Sequence, residues 1–133
     1  MENTIRVLIA DEDKEFCAML RETFCIDERM EIIGTYGDGN GLAQRILQDA
    51  PDVVLMDLVL PGVDGLTVLH ELNEAEPAKM PVIFVVSSFA SQETTEECNA
   101  LGVSFYLRKP VDLQALAQRV CRYGGQRNYV RSA

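Results

Sequence analysis

Five short β-branched runs alternate with five stretches of helical spacing, and that alternation constrains the fold more than any other feature of the chain. The runs are IRVLIA (5–10), MEIIGTY (30–36), DVVLMDL (52–58), PVIFVVSS (81–88) and VSFYLR (103–108). Between them, Phe16, Met19, Leu20, Thr23 and Phe24 share one helix face, as do Leu42, Ala43, Ile46, Leu47 and Ala50 ahead of Pro51. Leu66, Leu69 and Leu72 follow Asp64 as an N-cap, and Leu113, Leu116, Ala117, Val120 and Cys121 follow Asp112. Segment 91–101 is weaker: Ser91 can cap it and Gly102 can end it, but only Cys98 and Leu101 are suited to burial.

VVLM and VIFVV are continuous apolar runs, as strands covered on both faces require. The pattern predicts an α/β chain, a (βα)5 doubly wound parallel five-stranded sheet with right-handed crossovers. At 133 residues there is one domain, expected over 1–123, and 124–133 (GGQRNYVRSA) lose periodicity and read as a tail or the start of an interdomain linker. No window approaches 18 consecutive apolar residues, so no membrane helix is expected. MENTIRVLIADED lacks the basic and apolar regions of a secretory signal, which points to the cytoplasm.

The net charge is 12 − 21 = −9, which disfavours direct nucleic-acid binding by this domain. It is uneven: residues 108–133 hold six basic residues against Asp112, a sum of +5, leaving −14 elsewhere. This reads first as a solvated basic last helix and tail. The cysteines Cys17, Cys25, Cys98 and Cys121 have no C-x-x-C spacing and His70 is the sole histidine, so a zinc site is not expected. Reduced core or boundary thiols are the simpler reading.

Ligands of a doubly wound sheet bind beyond the carboxyl ends of its strands. Asp11-Glu12-Asp13 follow the first run, Asp57 the third, Ser87-Ser88 the fourth, and Lys109-Pro110 the fifth. A cleft of carboxylates, a hydroxyl and an ammonium suits Mg²⁺ and phosphoryl transfer: an aspartate can attack phosphorus, and the lysine and serine can hold the phosphoryl oxygens. There is no Gly-rich phosphate loop of either common spacing. Each residue also has a plainer role. Asp13 can simply cap the first helix, and Asp11 and Glu12 can form a solvated turn. Lys109 can be a surface lysine. Asp57 ends an apolar strand, where an unpaired charge is costly. His70 lies off the Leu66/Leu69/Leu72 face and reads as solvent-facing, not as a phosphohistidine.

These residues, with DLVLPGVDG (57–65), resemble the receiver domain of two-component response regulators over about residues 5–123. PDVVLMDLVLPGVDGLTVL and GVSFYLRKP look most similar to the receiver of the sporulation transcription regulator of endospore formers. The resemblance implies the flavodoxin-like strand order 2-1-3-4-5. It implies Asp57 as phosphoacceptor from a sensor histidine kinase or histidine phosphotransferase, and Mg²⁺ held by Asp11, Glu12, Asp57 and the Val59 backbone carbonyl. Ser87 would be the switch hydroxyl and Tyr106 the switch aromatic. Lys109 would pair with the phosphoryl group, with its bond to Pro110 cis. An effector domain beyond Ala133, transcriptional output and a phosphorylation-dependent dimer are further implications. Two residues depart from the pattern: Glu12 stands where Asp is usual, and Ser88 where Ala or Gly is usual. Two rival readings are a phosphorylation-independent pseudo-receiver and a haloacid-dehalogenase-like Mg²⁺-dependent phosphatase built on Asp11-x-Asp13.

Overall fold

The computed structural model describes residues 4–125. Five strands, β1 (Ile5–Ala10), β2 (Met30–Tyr36), β3 (Val53–Met56), β4 (Val82–Ser87) and β5 (Phe105–Arg108), form one parallel sheet in the order β2-β1-β3-β4-β5. The crossovers are α1 (Lys14–Phe24), α2 (Leu42–Asp49), α3 (Gly65–Ala75), α4 (Gln92–Ala100) and α5 (Leu113–Gly124). The expected fold class and strand order are both observed.

Period-two alternation divides the apolar runs between two cores. Leu8, Ala10, Val54, Met56, Ile83 and Val85 pack with α2, α3 and the buried Cys98 of α4. Val7, Ile9, Val53, Leu55, Phe84 and Val86 pack with α1 and α5. Phe84 stacks on Phe105 at 4.7 Å between ring centroids, which ties β5 into the second core.

Asp13, Asp64, Ser91 and Asp112 cap α1, α3, α4 and α5 with side-chain oxygens, as the sequence predicts. Some faces differ from expectation. The buried stripe of α1 is Cys17, Leu20 and Phe24, while Met19 is exposed. Cys17, Leu20 and Phe24 fall at i, i+3 and i+7, a helical stripe of their own that takes Cys17 in place of Met19. Leu47 is exposed and Leu66 half-buried, each at the edge of its stripe. Among the thiols, Cys25 is exposed, outside the core-or-boundary expectation.

β3 is shorter than the predicted run and stops at Met56. The Asp57 N–H still donates to Ala10 O (2.9 Å), but the chain then folds back, with the Gly65 N–H donating to Leu58 O (2.9 Å). β5 begins at Phe105 because the Val103 N–H is spent on Cys98 O, closing α4. α5 runs one residue past the expected boundary at 123, and residues 126–133 of the expected tail lie outside the described residues. Among the described residues no helix is long and apolar enough to cross a membrane.

Candidate functional site

Three backbone hydrogen bonds carry the sheet ladder just past the strand ends. Asp11 N–H donates to Tyr36 O, Asp57 N–H to Ala10 O and Lys109 N–H to Ser87 O, each at 2.9 Å. The side chains of Asp11, Asp57, Ser87 and Lys109 therefore rise from neighbouring strands into one cleft. Asp11, Asp57 and Ser87 are the buried polar residues among those described. These three are held inside against a desolvation cost that their partners must offset.

Lys109 is the shared partner. Its Nζ donates to Asp11 Oδ2 (2.8 Å) and to Asp57 Oδ2 (3.1 Å). The Ser87 hydroxyl donates to Asp57 Oδ1 (2.8 Å), as does the Val59 N–H (3.0 Å). The Asp13 N–H donates to Asp11 Oδ1 (2.9 Å). Burial pulls the Lys109 pKa down, but the hydrogen bonds to Asp11 and Asp57, with their charges, outweigh it and leave the ammonium above its ordinary value. One positive charge thus sits between two negative ones. The Phe16 ring lies beside it, its centroid 4.4 Å from Lys109 Nζ.

Gly65 lets α3 approach the site. A β-carbon there would lie 2.7 Å from Leu58 Cα and 2.8 Å from Asp57 O. Only glycine allows the helix to start against the loop that carries Asp57.

The other predicted site residues divide. Asp13 is turned away: its Oδ1 accepts the Glu15 N–H (3.0 Å) and the Phe16 N–H (3.1 Å) as a helix cap. Glu12 is exposed, rims a groove with Asp11 and Pro61, and has no hydrogen-bond or ion-pair partner among the described residues. The Val59 side chain is exposed and its N–H is used by Asp57. Tyr106 packs partly against the core that holds Cys98, and its hydroxyl donates to Phe89 O in the β4–α4 loop. Burial, then the charges of Cys98 and Asp57, raise the Tyr106 pKa. The Lys109–Pro110 peptide is cis. His70 faces solvent, with Nε2 3.0 Å from Glu97 Oε2 on α4. Phe16 is the site residue that sequence reasoning missed; it reads as an ordinary member of a helix stripe.

Among the described residues no three His, Cys, Asp or Glu side chains converge as a ready-made metal cage. The donor set still fits Mg²⁺. This ion needs hard oxygens, keeps several waters, and is held by one or two carboxylates together with a phosphate. Asp11 and Asp57 supply two buried carboxylates side by side. Chemically the cleft offers a carboxylate nucleophile with an ammonium and a hydroxyl already on its two oxygens. Asp13, the second carboxylate of the Asp11-x-Asp13 reading, is occupied as the cap of α1.

A family model described as the response regulator receiver domain matches residues 7–121. Solved structures of similar fold include the signal receiver domain of a NarL response regulator from Mycobacterium tuberculosis (20% identity, TM-score 0.83, covering 95% of this chain and 100% of that one). A DNA-binding response regulator of the LuxR family from Staphylococcus aureus matches at 20% identity and TM-score 0.80, over 90% of this chain and 98% of that one. The CheX–CheY–BeF3–Mg complex from Borrelia burgdorferi matches at 25% identity and TM-score 0.79, over 91% of this chain and 90% of that one.

Proposed function

Because the chain belongs to the response regulator receiver domain family, we propose that Asp57 accepts a phosphoryl group from a phosphohistidine donor, a sensor histidine kinase or a histidine phosphotransferase. An Asp57 carboxylate oxygen attacks phosphorus, the P–N bond to the donor imidazole breaks, and the imidazole leaves with the electron pair. Lys109 and Ser87, each already hydrogen-bonded to Asp57, are placed to take the phosphoryl oxygens. Asp11, Asp57, the Val59 carbonyl and Glu12 would hold Mg²⁺, and the chemistry it would supply there is neutralisation of charge on the phosphoryl oxygens. Domains of this family are signalling switches rather than enzymes acting on a separate substrate.

The observation that carries this reading is the burial of Asp57 with the Ser87 hydroxyl and the Val59 N–H on Oδ1 and the Lys109 ammonium on Oδ2. The added charge draws Ser87 and Lys109 toward the phosphoryl group. Tyr106 then exchanges its bond to Phe89 O for an inward position, and the α4–β5–α5 face changes shape. The output is transcriptional, delivered in the cytoplasm by an effector domain that follows a linker starting near residue 124. The residues that resemble the sporulation regulator and the likeness to a DNA-binding regulator of Staphylococcus aureus support this.

Incubation with Mg²⁺ and acetyl phosphate or phosphoramidate, followed by mapping of the modified residue, tests the reading. Label at Asp57 supports it. Absence of label favours a phosphorylation-independent interaction module, and sustained phosphate release that depends on Asp11 as nucleophile favours a phosphatase.

A further inference from the structure

We propose that Phe16 is a positioning residue for Lys109, the face of its ring holding the ammonium in place over the two carboxylates. This deepens the reading above and rests on it for the role of Lys109 in phosphoryl transfer.

An ammonium has three N–H donors. Two are used by Asp11 and Asp57, and the third has no oxygen partner among the described residues. The Phe16 ring takes that side at 4.4 Å from Nζ to its centroid, well inside the range over which an aromatic face attracts a cation. The ring is itself fixed from the same residues it serves. Asp11 Oδ1 accepts the Asp13 N–H, Asp13 Oδ1 accepts the Phe16 N–H, the Phe16 ring lies beside Lys109, and Lys109 returns to Asp11 Oδ2. This closed circuit ties the first turn of α1 to the end of β5.

An aromatic face suits the task better than a third carboxylate or a hydroxyl would. It attracts the ammonium without fixing a direction, so the N–H groups stay free to swing from the Asp57 oxygen to phosphoryl oxygens. A third oxygen acceptor would hold the ammonium back, and water would screen its charge. The ring keeps water from that side and leaves the charge available for transfer.

The chain has three lysines, Lys14, Lys79 and Lys109, so the ammonium region of a ¹H–¹⁵N spectrum is simple to assign. The test compares wild type with Phe16→Tyr, Phe16→Leu and Phe16→Met, after thermal melts identify which are folded. In wild type and Phe16→Tyr the Lys109 ammonium signal should be upfield, shifted by the ring current, and slow to exchange with water. In Phe16→Leu or Phe16→Met it should lose that shift and exchange faster. Labelling of Asp57 by phosphoramidate should fall by about 3- to 10-fold in those two variants and stay near wild type in Phe16→Tyr. An unchanged ammonium signal and labelling rate in either folded ring-less variant would overturn the proposal. So would equal losses in Phe16→Tyr and Phe16→Leu, which would make the residue a space filler. If wild type takes no phosphoryl group but the ammonium signal follows the ring, the positioning stands and the phosphoacceptor reading fails.

Discussion

Ser87 donates its hydroxyl hydrogen to Asp57 Oδ1 at 2.8 Å, so the hydroxyl already faces the carboxylate before any charge is added. The same oxygen of Ser87 accepts the Phe89 N–H at 3.2 Å, and Phe89 O in turn accepts the Tyr106 hydroxyl. Asp57, Ser87, the β4–α4 loop and Tyr106 are therefore one chain of contacts.

Ser87→Ala should still take a phosphoryl group on Asp57, at a stability cost of about 1 kcal/mol for the lost hydrogen bond. The phosphorylation-dependent amide shifts of α4, β5 and α5 should shrink markedly by NMR. A full-sized shift pattern in the labelled variant would break the coupling between Ser87 and that face.

Lys109→Met should leave Asp11 and Asp57 buried together without their cation. A loss of about 1–3 kcal/mol is expected, at the low end because part of the lysine side chain meets solvent. Denaturant unfolding at neutral pH measures it. The pH dependence has a definite sign. Lys109 is raised above its ordinary value in the folded chain, so its contribution is complete below about pH 10.4 and fades as pH rises through the raised value. Wild type should lose this contribution on the alkaline limb, and Lys109→Met should show no such loss there.

Glu12 reaches one methylene further than the aspartate usual at its place, and it is exposed. Glu12→Ala should weaken Mg²⁺ binding by about tenfold, and Glu12→Asp should equal or improve on wild type. Asp13→Ala should keep Mg²⁺ affinity and lose about 1 kcal/mol of stability, because its carboxylate caps α1. Calorimetric titration of the three variants decides. Loss of binding in Asp13→Ala with retention in Glu12→Ala would shift the acidic turn by one residue.

Thiol reactivity should follow burial. Cys25 is exposed and should alkylate first, followed by Cys121. Burial, then the Asp11 and Asp13 charges, raise the Cys17 pKa; burial, then Glu97, raise that of Cys98. These two should lag Cys25 by on the order of tenfold or more in the native protein. Mass-spectrometric mapping of iodoacetamide adducts over time reads the order directly.

Much of this was legible in the sequence because it rests on local patterns. Continuous runs such as VVLM and VIFVV mark strands covered on both faces, and Asp13, Asp64, Ser91 and Asp112 mark helix starts one residue at a time. Asp11, Asp57, Ser87 and Lys109 were legible as a group because each ends or directly follows a strand. What stayed hidden depends on three-dimensional approach. Leu20 and Phe24 keep helical spacing with Cys17 as well as with Phe16, so periodicity alone does not decide between Cys17 and Met19 for the buried stripe. Cys25 reads as apolar yet ends a helix in solvent. Phe16 meets Lys109 only because the first and last strand ends lie on the same side of the sheet, so its partner has no local signature.

Lys109 reaches Asp57 across 52 sequence positions and Asp11 across 98. Contacts of such separation are late in assembly, since loop closure must be met before they contribute. As the chain is made from its N-terminus, Asp11 and Asp57 come together on β1 and β3 before their cation exists. Two neighbouring carboxylates without that cation oppose each other. The site is thus a mark of completion: it becomes electrostatically whole only when the last strand is seated. A chain whose last strand is not seated has the acidic pair without the ammonium that both carboxylates share.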